Sequence, residues 1–101
     1  MGKAYIIASY ESDTYHQGAT AYDAVQQLKA AGYDVINPPA LELSQTSFSE
    51  DMRKRVHNLL GADLICYVGK AWAEDRKCLI EAHVATLLNL KKLYFNGQVI
   101  L

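Results

Sequence analysis

Asp75 and Glu81 stand six residues apart in the segment ADLICYVGKAWAEDRKCLIEAHVA, residues 62–85 of the chain. Glu81 is flanked by Ile80 and Ala82, and an ionised carboxylate near an apolar core costs free energy unless it is paired or used. A carboxylate in such a setting can act as a nucleophile or stabilise positive charge, and a second acid nearby can supply or orient a proton. The pair therefore marks a candidate catalytic site.

The elements that must position the pair are legible around it. Leu64–Val68 (LICYV) is a continuous apolar run of the length and β-branched character of a strand buried on both faces. A polar loop, residues 69–75, follows it, and Asp75 opens a segment with apolar residues at helical spacing. Asp75 reads as the N-cap of that helix, which places Glu81 in its second turn, near the carboxyl edge of the sheet where open α/β folds bind ligands. Leu79, Ala82, His83 and Leu87 form the expected buried stripe of this helix.

Upstream, residues 3–9 (KAYIIAS) read as a first strand and residues 10–18 as a polar loop. A helix is expected from Ala19, with Ala21, Ala24, Val25, Leu28 and Ala31 on one face and Gly32 as its stop. Residues 33–36 read as a second strand, ended by Asn37-Pro38-Pro39. Ser47 and Glu50 have the spacing of a capping box. They open a helix with Phe48, Met52, Val56, Leu59 and Leu60 on one face, Arg53, Lys54, Arg55 and His57 on the other, and Gly61 at its end. Residues 93–95 and 99–101 are short β-like runs on either side of Asn96-Gly97, a dipeptide that favours a hairpin turn. The order β-α-β-α-β-α-β-β predicts a single α/β domain over residues 1–101 with a mostly parallel sheet.

Composition narrows the function classes. The chain has 101 residues, 50% of them hydrophobic and 21% charged, which suits a folded domain. A formal net charge of −1 argues against the strong field that attracts nucleic acid or an anionic membrane surface. No signal peptide and no membrane-length apolar run is evident, so the expected location is cytoplasmic. Cys66 and Cys78 belong to no CxxC pattern and read as buried free thiols, and the three histidines lie at no metal-ligand spacing. Neither a metal nor another cofactor is expected.

The segments KAYIIAS and AAGYDVINPP, the pair Ala62-Asp63 before an apolar strand, and Asp75 with Glu81 together resemble the nucleoside 2-deoxyribosyltransferase-like superfamily, in particular its short members. The likeness runs in order along nearly the whole chain. It implies a three-layer flavodoxin-like fold with strand order 2-1-3-4-5 and cleavage or exchange of the N-glycosidic bond of deoxynucleosides or their 5′-monophosphates. By this resemblance Glu81 matches the nucleophile, placed beneath the anomeric carbon, and Asp75 the acid on the base side. The ligand implied is a small nucleoside or nucleotide, and the assembly a homodimer or larger, since such sites are commonly completed by a neighbouring subunit.

The expected substrate-binding residues are Tyr5, Ala8, Ser9 and Tyr10 at and after the first strand, Asn37 after the second, and Trp72 and Lys77 around the third loop and its helix. Three positions depart from the pattern of the superfamily. Ala8-Ser9-Tyr10 replaces a Gly-Pro pair, Lys77-Cys78 replaces a small pair, and Arg55 falls where an aspartate is common.

Each assignment has a plainer counterpart. From spacing alone Glu81 reads as a carboxylate paired with Lys77, its neighbour on the helix, or exposed at the helix edge. Trp72 reads either as a stacking wall for a base or as a cover for the core edge. The run 53–55 reads as a solvated face, His16 and His57 as exposed, and His83 as core. Lys77 and Arg55 favour a nucleotide-binding module without catalysis, whereas Asp75 and Glu81 favour an enzyme.

Overall fold

The computed structural model describes residues 2–8, 14–36, 47–69 and 71–95. Strand β1 (Lys3–Ile7) leads to helix α1 (Thr14–Ala30), strand β2 (Asp34–Val35), helix α2 (Phe48–Leu60) and strand β3 (Leu64–Val68). A 3-10 turn (Ala71–Glu74), helix α3 (Arg76–Leu87) and strand β4 (Lys91–Phe95) follow. The strands form one sheet in the order β2-β1-β3-β4, and every pairing is parallel. Over the described residues this is the expected α/β layout with four strands instead of five. The proposed fifth strand, residues 99–101, and the Asn96-Gly97 turn lie outside the described residues.

Period-two alternation sends the two sides of β1 and β3 into different layers. Ala4, Ile6, Ala8, Leu64, Cys66 and Val68 pack with Ala21, Ala24, Val25 and Leu28 of α1. Tyr5, Ile7, Ile65 and Tyr67 face the other way, toward Leu59 of α2 and toward Cys78 and Ala85 of α3. The result is a three-layer sandwich of helix, sheet and paired helices. All five residues of β3 are buried, as its uninterrupted apolar run requires.

Caps set the helix ends. Gly32, at φ 97°, lets the chain leave α1 through two bonds, Gly32 N–H to Lys29 O at 3.0 Å and Tyr33 N–H to Leu28 O at 3.0 Å. Asn89, at φ 55°, closes α3 the same way: its N–H reaches Thr86 O at 3.0 Å, and the Leu90 N–H reaches Ala85 O at 3.1 Å. Ser47 caps α2 by accepting the Glu50 N–H at 3.2 Å. No helix among the described residues is long and apolar enough to cross a membrane.

Three sequence expectations need correction. Helix α1 begins at Thr14, inside the segment read as a polar loop, because Gln is a good helix former, Thr is only weakly averse to helix, and extending an established helix is easy. Helix α3 is rotated from the expected phase, with Cys78, Glu81 and Ala85 buried, while His83 is exposed and Leu79 and Leu87 are 47% and 71% exposed. The inward face carries Cys78 and Ala85 together with Glu81, and the larger leucines are left outside. The third correction is Arg55 of α2, which turns away from the solvated face and toward α3.

Candidate active site

Glu81 is the one buried charged residue of the described chain, at 1% exposure. The N-cap puts it there. The Asp75 carboxylate accepts the backbone N–H of Lys77 at 2.9 Å and of Cys78 at 3.3 Å, which fixes where α3 starts. The buried face that begins with Cys78 then brings Glu81 over β1. There the Tyr5 hydroxyl donates to Glu81 Oε2.

The other oxygen is held from α2. Arg55 Nη1 donates to Glu81 Oε1 at 3.0 Å, and Arg55 Nε donates to Asp51 Oδ2 at 3.0 Å, one helical turn earlier on α2. The same Asp51 oxygen accepts from Lys77 Nζ at 2.7 Å. A continuous chain of charge-assisted hydrogen bonds therefore runs from Lys77 through Asp51 and Arg55 to Glu81 and Tyr5. Phe48, at the start of α2, lies under the Arg76 guanidinium at 4.6 Å and anchors the two helices near this end.

The electrostatics follow from depth. Burial pushes the Glu81 carboxyl up from the ordinary carboxylate range, with the Tyr5 hydrogen bond and the Arg55 charge drawing it back part of the way. Burial, reinforced by the Glu81 charge, holds the Tyr5 phenol well above its usual range, so it remains a donor. Burial alone would lower Arg55, but the Glu81 and Asp51 carboxylates outweigh it and keep the guanidinium charged. Asp51 lies nearer the surface; there Lys77 and Arg55 outweigh desolvation and hold its carboxyl below the usual value.

Around this chain, Ala8 is buried and its carbonyl accepts from Cys78 Sγ at 3.3 Å. Trp72 is half-buried and packs on Tyr67 with ring centroids 4.4 Å apart, and Tyr94 stacks on Tyr67 at 5.1 Å. The structure thus gathers Tyr5, Lys77 and Glu81 into one network, with Asp75 at the start of the same helix and Trp72 in the turn that precedes it. Ser9, Tyr10 and Asn37 lie outside the described residues. Lys77 does not pair with Glu81, as spacing alone allowed; it reaches across to Asp51, and Arg55 takes the carboxylate.

Sequence reasoning missed Asp51 and placed Arg55 on the wrong side. Two signals were available: Asp51 and Arg55 have the i,i+4 spacing of a helical ion pair, and a glutamate among apolar neighbours demands a cation from some other element. Among the described residues no group of three or more His, Cys, Asp or Glu is arranged to hold a metal ion. Compared with protein-family models, curated proteins and solved structures, the chain matches none of them.

Proposed function

We propose that the protein cleaves or exchanges the N-glycosidic bond of a deoxynucleoside or deoxynucleoside 5′-monophosphate, with Glu81 as nucleophile. The observation that supports this most is the Glu81 carboxylate itself. It is almost fully buried, its depth raises the cost of its charge, and a phenol and a guanidinium from two other elements are aimed at it. Packing alone would be served as well by an apolar residue of similar volume.

In the proposed reaction a Glu81 oxygen bonds to C1′ as the C1′–N bond breaks, and the electron pair of that bond leaves on the base. The departing base takes a proton from the Asp75 side of the site or from water. Water, or the N–H nitrogen of an acceptor base, then opens the glycosyl ester, its proton replacing the one given to the leaving base, and Glu81 returns as a carboxylate. In the free protein Tyr5 and Arg55 orient the carboxylate, and Trp72 offers an aromatic plane beside the base. The proposal includes a cytoplasmic location and a small-molecule ligand in preference to nucleic acid or membrane. It also includes a homodimer or larger, in keeping with the exposed Leu60, Leu79 and Leu87 on the outer side of α2 and α3.

The test is incubation of the purified protein with a panel of deoxynucleosides and their 5′-monophosphates, with free base followed by chromatography. Glu81→Gln is the control. Its amide oxygen accepts from Arg55, its amide nitrogen donates to the Tyr5 oxygen, and the fold survives while base release falls to background. A second reading, a nucleotide-binding module without turnover, is favoured by one observation: both Glu81 oxygens are already engaged. Nucleotide binding by the wild type with no base released from any substrate would establish that reading.

A further inference from the structure

Nothing in the reading of Glu81 as a nucleophile accounts for the outer half of the network. Arg55 and Lys77 come from different helices and converge on a single oxygen of Asp51, at 3.0 and 2.7 Å. All three side chains keep some contact with solvent, at 29%, 25% and 16% exposure, whereas Glu81 behind them has 1%. The layer therefore lies between solvent and the buried carboxylate. The Arg55 Nε and the Lys77 ammonium arranged about one anionic oxygen form a cationic donor set suited to a phosphate group.

We propose that Arg55 and Lys77 form an anion subsite that the Asp51 carboxylate fills in the free protein, and that a phosphate monoester on the ligand takes the place of Asp51. The consequence for Glu81 is direct. Arg55 now spans two monoanions, Asp51 through Nε and Glu81 through Nη1. A phosphate dianion in the outer seat attracts the guanidinium more strongly than either carboxylate does and turns its fork outward. Glu81 then loses its ion pair while keeping the Tyr5 hydroxyl, and one of its oxygens is released for attack. The same substrate group that anchors the ligand thus uncovers the nucleophile. This inference deepens the proposed function and rests on it only for the last step, since the anion subsite exists with or without turnover.

The experiment separates the two. Inorganic phosphate is titrated calorimetrically into wild type, Asp51→Asn, Lys77→Met and Glu50→Gln at constant ionic strength. Asp51→Asn removes the internal competitor and is expected to bind phosphate at least tenfold more tightly than wild type, and Lys77→Met at least tenfold more weakly. Glu50→Gln removes an exposed acid from the first turn of the same helix and is expected to stay within twofold, which distinguishes the subsite from a change in overall charge. An Asp51→Asn protein that binds no more tightly than wild type, or no more tightly than Glu50→Gln, overturns the proposal.

Two further arms, a deoxynucleoside 5′-monophosphate and the matching deoxynucleoside with free inorganic phosphate, distinguish an attached phosphate from a free one. A monophosphate that competes with inorganic phosphate supports the subsite, and one that binds without displacing it counts against it. Phosphate binding of the expected pattern without base release would sink only the enzymatic reading. Base release with no preference for the monophosphate would sink only the step in which the phosphate uncovers Glu81.

Discussion

The two faces of the sheet are made from the same strands yet differ in kind. On the α1 side, β1 and β3 contribute Ala4, Ile6, Ala8, Leu64, Cys66 and Val68, and the helix returns only small or aliphatic residues. On the α2–α3 side, the intervening residues of those strands include Tyr5 and Tyr67, and the facing helix brings in Glu81. One layer is held together by area removed from water. The other combines that with a polar network whose parts are worth keeping only together, because a half-satisfied buried network is worse than an apolar core. A one-residue step along a strand thus separates a structural face from a candidate chemical one.

Placing an acid on the apolar face should give the largest effect. Cys66→Asp would put a carboxyl where Cys66 is fully buried among apolar neighbours, and a loss above about 4 kcal/mol is expected, enough to abolish cooperative unfolding in a denaturant titration. On the other face, Arg55→Met leaves the Glu81 charge without its cation. The expected loss is about 2–3 kcal/mol, below the roughly 3–5 of a pair buried on both sides, because Arg55 keeps part of its side chain in water. The double variant Arg55→Met/Glu81→Gln should regain most of that loss, and a double-mutant cycle by urea denaturation measures the coupling.

Tyr5→Phe has the smallest effect, about 1–3 kcal/mol for the lost hydrogen bond to a buried acceptor, and it carries a pH signature. Because the folded state holds Glu81 above its ordinary value of 4.5, the burden of its charge is absent below that value and grows as pH rises through the folded pKa. Removing the hydroxyl takes away a donor that favours the ionised form, so the folded pKa rises further. The difference in melting temperature between Tyr5→Phe and wild type should therefore narrow as pH is lowered toward about 4. Asp51 works in the opposite sense, since its lowered pKa gives stability that is lost on acidification, but that contribution is common to both proteins and cancels in the difference. A difference that stays constant across the range would show that Tyr5 does not act through the Glu81 charge.

How far the sequence reached follows the same division. The β3 run, the Ser47 and Asp75 caps and the Gly32 stop were legible because each rests on local chemistry: strand composition, a side-chain acceptor at a helix start, a positive φ. The buried face of α3 was not, because side-chain size suggested Leu79 and Leu87, whereas the face that carries Glu81 to Tyr5 and Arg55 buries Cys78 and Ala85. Arg55 was misplaced for a related reason. In a run of three basic residues the i,i+4 acids Glu50 and Asp51 serve Lys54 and Arg55 alike, and the choice was made by a carboxylate 26 positions away. The partnership of Asp51 with Lys77 spans the same separation and was equally hidden.

The two cysteines lie one on each side of the sheet. Cys66 belongs to the α1 layer, where burial pushes its thiol up to about 12, and Cys78 lies on the sheet-facing side of α3 with its Sγ donating to the Ala8 carbonyl. A thiol reagent can reach neither without an opening of the protein, so labelling times the breathing of each layer separately. If Cys78 is alkylated before Cys66, the paired helices lift while the α1 core stays shut. The molecule then carries its own pair of stopwatches, one for each wall.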